Sequence, residues 1–466
     1  MAASLRISAP THMECESLLA LSRGEARHPG VARRAKGSAS GKFYARPLTQ
    51  GDGMAPNSKM SAPIRSLFNP AAKVTIRANF ATGAPMTHNI FSRRDFSRLF
   101  GHSLALAFAT PRLLKPFDAQ RRGPIPEGAV RLNFNENPYG PSPKTLEALA
   151  TCGHIANRYP DQTYIQVKDA LAQKFNLTRD NIALGCGSTE ILRGVDAAFL
   201  DSSRNVVAPE PTFEAVLEYA RALHAQPVKI PLTPDHRHDL PRMAAACTSK
   251  TGVVYVCNPN NPTGTIVTRD EMATFIQAVP PATLILVDEA YYDFADDPRY
   301  ASATEFIAKN PNVVVARTFS KIYGMAGMRL GYVIGAKEPI TLINNHLTQD
   351  NGNAAVLAAA LVSLGDSDYV ASCRTRINDT RRWLCAELAK DSRTFIPSQA
   401  NFVMIDMGSD AQPFIDQFRA RNIIVGRRFA SMPNFLRVSI GTQQEIESLV
   451  TALREIAPTP ISKAAA

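Results

Sequence analysis

The chain has 466 residues, 45% of them hydrophobic, 8% aromatic and 20% charged, with a formal net charge of +11. That composition excludes a collagen, a coiled-coil rod and a wholly disordered chain, and the length is ample for two domains around a large core. The charge is uneven: residues 1–90 hold 12 Lys/Arg against 4 Asp/Glu, residues 91–130 hold 7 against 3, and the remainder holds 33 against 34, so the basic excess belongs to the leader and gives no ground for a nucleic-acid partner.

Residues 1–90 carry no sustained periodicity and are read as disordered or as the product of a start placed too early, with Met86 the alternative start. Residues 91–115 resemble a twin-arginine export signal: Ser92-Arg93-Arg94-Asp95-Phe96, an apolar run from Leu99 to Ala109, and a small-x-small ending at Ala107-Phe108-Ala109. Used as such, the signal places the protein in the periplasm; unused, it leaves it in the cytoplasm. No run of 18 apolar residues suggests an integral membrane span. Seven scattered cysteines without a C-x-x-C pair fit reduced, mostly buried thiols and suggest no metal site.

From Arg131 onward strand-like and helix-like segments alternate. Helices are expected at Leu146–Ala150, Ile165–Phe175, Glu190–Leu200, Phe213–Leu223 and Asp270–Ala278; strands at Asn181–Gly185, Val206–Ala208, Gly252–Cys257, Leu284–Val287, Val313–Ala316 and Gly331–Ile334. This rhythm predicts an α/β domain with a mainly parallel sheet sandwiched by helices. Beyond residue 350 come a long helical stretch from Asn353 to Lys390 broken near Gly365, a strand Asn401–Ile405, a helix Ala411–Arg419, a strand Leu436–Ile440 and a helix Gln444–Ile456. The expected organisation is an N-terminal arm at 125–150 joining a small α+β domain at 351–466, with a large domain at 151–350 between them.

Chemistry gathers at strand ends. Lys321, in Thr318-Phe319-Ser320-Lys321, follows one strand; Asp288 ends another in Val287-Asp288-Glu289-Ala290-Tyr291; Asn258-Pro259-Asn260-Asn261-Pro262-Thr263-Gly264 follows a third; Arg329 stands eight residues past the lysine. Each alone reads as a cap or a turn. In this order, each at the carboxyl end of a strand where such folds bind ligands, they form one constellation.

That constellation resembles the aspartate aminotransferase superfamily, the fold type I enzymes dependent on pyridoxal 5′-phosphate (PLP), and within it the histidinol-phosphate aminotransferases. The likeness runs from about Arg131 to Pro458 and includes Leu132-Asn133-Phe134-Asn135-Glu136-Asn137-Pro138-Tyr139-Gly140, Asn157-Arg158-Tyr159-Pro160-Asp161, Gly187-Ser188-Thr189-Glu190, Ser398-Gln399-Ala400-Asn401-Phe402 and Leu436-Arg437-Val438-Ser439-Ile440-Gly441. It implies that Lys321 joins the cofactor aldehyde and shuttles protons, that Asp288 keeps the ring nitrogen protonated, and that Tyr291 and Asn261 meet the ring oxygen. It further implies a phosphate cup of Ser188, Thr189, Ser320 and Arg329, with Thr318 a weaker member, completed by Tyr159 from a second subunit of a homodimer. Phe213 stands where relatives often have a ring-stacking tyrosine; stacking survives the change and the phenol hydrogen bond does not. Arg437 is implied as the clamp for the substrate carboxylate, with Asn401 near it or structuring the pocket, Tyr139 over the substrate, and Arg427 or Arg428 as a second arginine for phosphorylated substrates. The implied activity is transfer of an amino group from a small amino donor, first histidinol phosphate, to a 2-oxo acid such as 2-oxoglutarate. The alternatives are an aromatic-amino-acid aminotransferase, or a PLP-dependent C–S lyase or decarboxylase.

Overall fold

The computed structural model describes residues 125–457; the leader and the export-like segment lie outside the described residues. Its centre is a seven-stranded sheet of order β2-β8-β7-β6-β5-β3-β4, built from β2 (Ile182–Gly185), β3 (Asn205–Glu210), β4 (Gln226–Pro231), β5 (Thr251–Cys257), β6 (Leu284–Asp288), β7 (Val313–Thr318) and β8 (Gly331–Gly335). β8 runs antiparallel to both its neighbours, β2 and β7; the other pairs are parallel. The sheet is therefore mainly parallel, as the βαβ rhythm predicts. Strands β5, β6 and β7 are buried at every position, which is why they read as mainly apolar runs. Ile285 and Val287 pack into one face's core, Leu284 and Leu286 into the other's, and Val313/Val315 and Val314/Ala316 divide the same way.

Two smaller sheets complete the described chain. β1 (Val130–Leu132) pairs in parallel with β11 (Ile423–Val425), and β9 (Phe395–Ile396), β10 (Phe402–Asp406) and β12 (Phe435–Ser439) form an antiparallel sheet with β10 in the middle. The long helical stretch is two helices, Ala354–Gly365 and Ser367–Lys390, meeting at 79°. Among the described residues no single helix is long and apolar enough to cross a membrane.

Several expected elements shift by a residue or two at their ends, and some were not expected at all: β1, β4, β9, β11 and the helices Leu240–Ala246 and Lys337–Asn344. The six described cysteines are free; only Cys257 and Cys373 are buried, three are half-buried and Cys186 is exposed, so the expectation of mostly buried thiols is corrected.

Candidate active site

The site forms where β5, β6 and β7 end, and each strand delivers one polar group as its apolar run stops. β6 ends on Asp288, which is 2% exposed. Its Oδ2 accepts from Tyr255 Oη at 3.0 Å, and its Oδ1 from the Ala290 amide at 3.1 Å. Burial pushes this carboxyl up to about 6, partly offset by those two hydrogen bonds and by Lys321. A buried carboxylate in this state calls for a cation as its partner.

β7 leads into Ser320-Lys321. The Ser320 amide donates to Thr318 Oγ1 at 3.0 Å and the Phe319 amide to Leu330 O at 3.0 Å, which fixes the turn beneath the lysine. Lys321 Nζ donates to Phe134 O at 2.9 Å and lies 5.6 Å from the centre of the Tyr291 ring. Burial first, then the guanidinium of Arg437, brings this amine down to about 8; Glu136 opposes them, Arg329 lowers it further, and Asp288 opposes. An amine so placed has a substantial neutral fraction near neutral pH and can act as nucleophile and base.

After β5, the Asn258–Gly264 loop folds on its own side chains. Asn258 Oδ1 accepts from the Val267 amide at 2.9 Å, and the Asn258 amide donates to Asp288 O at 2.9 Å. This presents Asn261, whose Oδ1 accepts from Arg437 Nη1 at 2.6 Å. Arg437 comes from β12; its Nη2 donates to Asn133 O at 2.9 Å, and its guanidinium lies 5.3 Å from the centre of the Phe429 ring. Tyr291 Oη accepts from Asn135 Nδ2 at 3.0 Å, and Tyr291 packs edge-on against Phe402 at 5.0 Å.

The anion cup lies at the start of the Ser188–Phe199 helix. Its cap residue is Gly187, at φ 77° and ψ 163°, with no side chain to accept from the first-turn amides. Arg329 bridges the cup: Nη1 donates to Ser320 Oγ at 3.3 Å and to Ala326 O at 2.9 Å, and Nη2 to Thr189 Oγ1 at 3.3 Å. A Cβ on Gly187 would fall 2.8 Å from Arg329 Cζ and closer still to Nη2; one on Gly331 would fall 2.8 Å from Ser188 Cα. Gly187 leaves room for the Arg329 guanidinium and Gly331 lets its strand approach the start of the helix, so first-turn amides, two hydroxyls and a guanidinium lie together. That donor set is the chemistry of a phosphate seat.

The structure thus gathers Lys321, Asp288, Tyr291, Asn261 and Arg437 into one cluster and Ser188, Thr189, Ser320 and Arg329 into the adjoining cup. Thr318 meets Ser320 beneath the same turn. Phe213 is half-buried, and its neighbour Thr212 donates to Asn260 Oδ1 at 2.9 Å beside Asn261. The Tyr139 ring stacks 3.4 Å from Arg376 Cζ, its peptide oxygen accepts from Tyr369 Oη, and the nearby Asn137 Nδ2 donates to Ile322 O. Asn401 is fully buried, and its Nδ2 donates to Asn135 O at 3.0 Å and Glu136 O at 3.3 Å, which ties it to the segment that covers the site. Tyr159 is 78% exposed, and among the described residues none of its contacts joins it to the cup. Arg428 is turned to Asp410, its Nε 2.9 Å from both carboxylate oxygens, which leaves Arg427 as the arginine beside Phe429, 4.4 Å from the ring centre.

Sequence reasoning missed Tyr255 and the cover formed by Asn133, Phe134 and Asn135. Tyr255 is the one hydroxyl-bearing aromatic in the otherwise apolar run of β5, in register beside Leu286, and that anomaly was the available signal.

This chain belongs to the aminotransferase class I and II family, whose model matches residues 127–453. It is a PLP-dependent transaminase of fold type I, close to the histidinol-phosphate aminotransferases. It is 35% identical over 345 residues to a histidinol-phosphate aminotransferase of Moorella thermoacetica, covering 73% of this chain and 89% of that one. It is also 35% identical over 323 residues to an aromatic amino acid aminotransferase of Mycobacteroides abscessus, covering 69% and 92%. The solved histidinol-phosphate aminotransferase of Sinorhizobium meliloti, in complex with pyridoxal 5′-phosphate, superposes with a TM-score of 0.66 at 29% identity, covering 70% of this chain and 90% of that one. When bound, PLP supplies an aldehyde for the amino group and an electron-withdrawing ring for the carbanion. Lys321, Asp288, Asn261, Tyr291, Ser188, Thr189, Ser320, Arg329 and Phe213 are the residues that would hold it.

Proposed function

We propose that this enzyme takes the amino group of histidinol phosphate, or of a closely similar donor, and passes it to a 2-oxo acid such as 2-oxoglutarate. The observation that carries the reading is the Lys321 amine, brought down to about 8 among Asp288, Arg437 and Arg329. In its neutral form Nζ can take the proton from the substrate α-carbon and return it to the acceptor carbon. Arg437 holds the substrate's anionic group, and Asp288 holds the ring nitrogen's proton in place. Curated relatives named histidinol-phosphate aminotransferase, at 35% and 37% identity, support the donor. A second reading, an aromatic amino acid donor, is supported by the Mycobacteroides relative.

The experiment is a donor screen on purified protein. Histidinol phosphate, phenylalanine, aspartate and alanine are compared by kcat/KM with 2-oxoglutarate as acceptor. Histidinol phosphate should lead; phenylalanine leading selects the second reading. If no donor converts the bound cofactor to pyridoxamine phosphate in a single turnover, a lyase or decarboxylase replaces the transaminase.

We further propose a homodimer in which Tyr159 reaches the partner's phosphate cup, supported by its exposure at the end of Asn157-Arg158-Tyr159-Pro160. Sedimentation as a monomer would end that reading. Export through the segment at 92–109 is proposed on its twin arginines alone, and N-terminal sequencing of the native protein tests it.

A further inference from the structure

We propose that Glu214 tempers this enzyme's preference for anionic over neutral substrate side groups, by holding Arg427 in an ion pair that an anionic substrate has to open. The inference rests on the transaminase reading and concerns the second arginine beside Phe429.

The geometry is a short relay. Arg437 and Arg427 lie 5.3 Å and 4.4 Å from the centre of the same ring, Phe429. The residue before Arg427 is Gly426, whose amide donates to Arg437 O at 2.9 Å and whose Cβ would fall 3.1 Å from Arg437 Cβ. Arg427 is thus a second cation beside the carboxylate clamp, on the same aromatic ring. Its Nη2 donates to Glu214 Oε2 at 2.5 Å. Glu214 directly follows Phe213, in the Pro211–Glu214 loop that Asn260 ties beside Asn261 by accepting from Thr212 Oγ1 and donating to Pro211 O at 3.2 Å. The ion pair therefore joins the loop after β3 to the loop after β11 next to the substrate's place.

Charge makes this pair selective. A guanidinium already bound to a carboxylate offers little to a neutral side group and must be released to meet a phosphate or a second carboxylate. Glu218, one turn on in the Ala215–Ala222 helix that starts after Glu214, is held above the usual carboxylate range by burial first and by Glu214 next, so a second acidic group stands behind the first. The pair's side chains are 33% and 47% exposed, so water screens it and opening it costs little. Glu214 thus acts as a tether on Arg427 that both anionic and neutral substrates can live with: neutral ones leave the pair closed, anionic ones exchange with the carboxylate. A transaminase handles two substrates of different side group in one pocket, and a displaceable counter-ion is one way to admit both.

The test uses the holoenzyme and an isosteric pair of probes differing in one charge, glutarate and its monoamide, with dissociation constants read by calorimetry. Glutamate and glutamine are run beside them in single-turnover amine transfer. E214Q should shift both ratios toward the more anionic probe by roughly three- to tenfold, the release of an exposed ion pair plus removal of a like charge. R427Q should shift them the other way. Ratios that stay within about twofold of wild type in both variants overturn the proposal, as does a shift of equal size for charged and amide probes. A shifted glutarate ratio in a protein that transfers no amine sinks the transaminase reading and leaves the role of Glu214 standing; normal amine transfer with unmoved ratios does the reverse.

Discussion

Gly187→Ala probes the phosphate cup at its tightest point. At φ 77° and ψ 163° the residue occupies backbone space that is essentially reserved for glycine, and an L side chain there costs about 1–3 kcal/mol. The added methyl would also sit 2.8 Å from Arg329 Cζ, too close for either group to stay. The guanidinium is the softer of the two, so it swings out and gives up Thr189 Oγ1 and Ser320 Oγ. A hydrogen bond to a charged group is worth about 1.5–3 kcal/mol, so PLP should bind about 10- to 150-fold more weakly. The assay is titration of the cofactor-free protein with PLP, followed by visible absorbance, beside a melting curve that isolates the backbone cost. Gly327→Ala is the control: a Cβ there meets nothing within 4 Å, and it should bind PLP like wild type. Wild-type affinity in Gly187→Ala would refute the placement of the phosphate against Arg329.

Covalent capture of PLP by the cofactor-free protein should accelerate as pH rises, with a midpoint near 8, because only the neutral Lys321 amine reacts; about a tenth of it is neutral at pH 7, against about one part in 3,000 for an unperturbed lysine. A midpoint above 10 would show that the amine is not buried among cations, and Lys321→Ala should capture none. Arg437→Ala should raise the amino-donor KM about 10- to 100-fold and keep PLP bound, since it removes a charged clamp and no cofactor contact; cofactor loss instead would move the site. Glu289→Ala strands Arg317, whose side chain is 6% exposed and paired with Glu289 at 2.8 Å, and should cost about 3–5 kcal/mol in urea unfolding, largely recovered by adding Arg317→Met. Asp196 is fully buried with neither carboxylate oxygen hydrogen-bonded, and burial raises it well above its usual value. A raised folded-state value means the stability is full in acid and is lost as pH climbs from the unfolded value toward the folded one, so Asp196→Asn should raise the melting temperature more at pH 8 than at pH 4; an equal effect at both would mean that burial does not raise this carboxyl.

The parts of the fold legible in the sequence are those where burial writes a pattern. β5, β6 and β7 are sealed on both faces, so they appear as mainly apolar runs, and a polar residue of the candidate site stands at the end of β6 and within four residues of the ends of β5 and β7. β4 was invisible because it is an edge strand: Gln226, Lys229 and Pro231 alternate with only one buried residue, Ile230. β1 and β11 are three residues each, too short for a period, and pair only because residues some 290 positions apart meet. Among the site residues, Asp288, Asn261 and Lys321 are legible because each stands at or just past the end of a strand, and Arg329 because it follows the lysine by eight residues. The contributions of Asn133 and Phe134 are not, since what they offer is a peptide oxygen, and every residue has one. The partner of Tyr139 is likewise not legible, since Arg376, which stacks on its ring, comes from a helix more than 200 residues away.

The same N-terminal segment explains how a site with so many charges stays folded before substrate arrives. Residues 133–135 touch three of its working groups in turn: Asn133 O takes Arg437, Phe134 O takes Lys321, and Asn135 Nδ2 donates to Tyr291. The segment is anchored on both sides, by β1 on β11 before it and by Asn401 gripping Asn135 O and Glu136 O after it. An unpaired guanidinium or ammonium in so buried a place would be costly. Neutral peptide oxygens satisfy the cations without neutralising them, which leaves the positive potential that lowers Lys321 intact. They are also the weaker ligands. A carboxylate or phosphate makes a charge-assisted bond roughly twice as strong as a carbonyl does, so substrate can replace Asn133 O on Arg437 at a net gain. A glutamate in place of those carbonyls would bind Arg437 better, hold Lys321 charged, and leave the site closed to both substrate and chemistry.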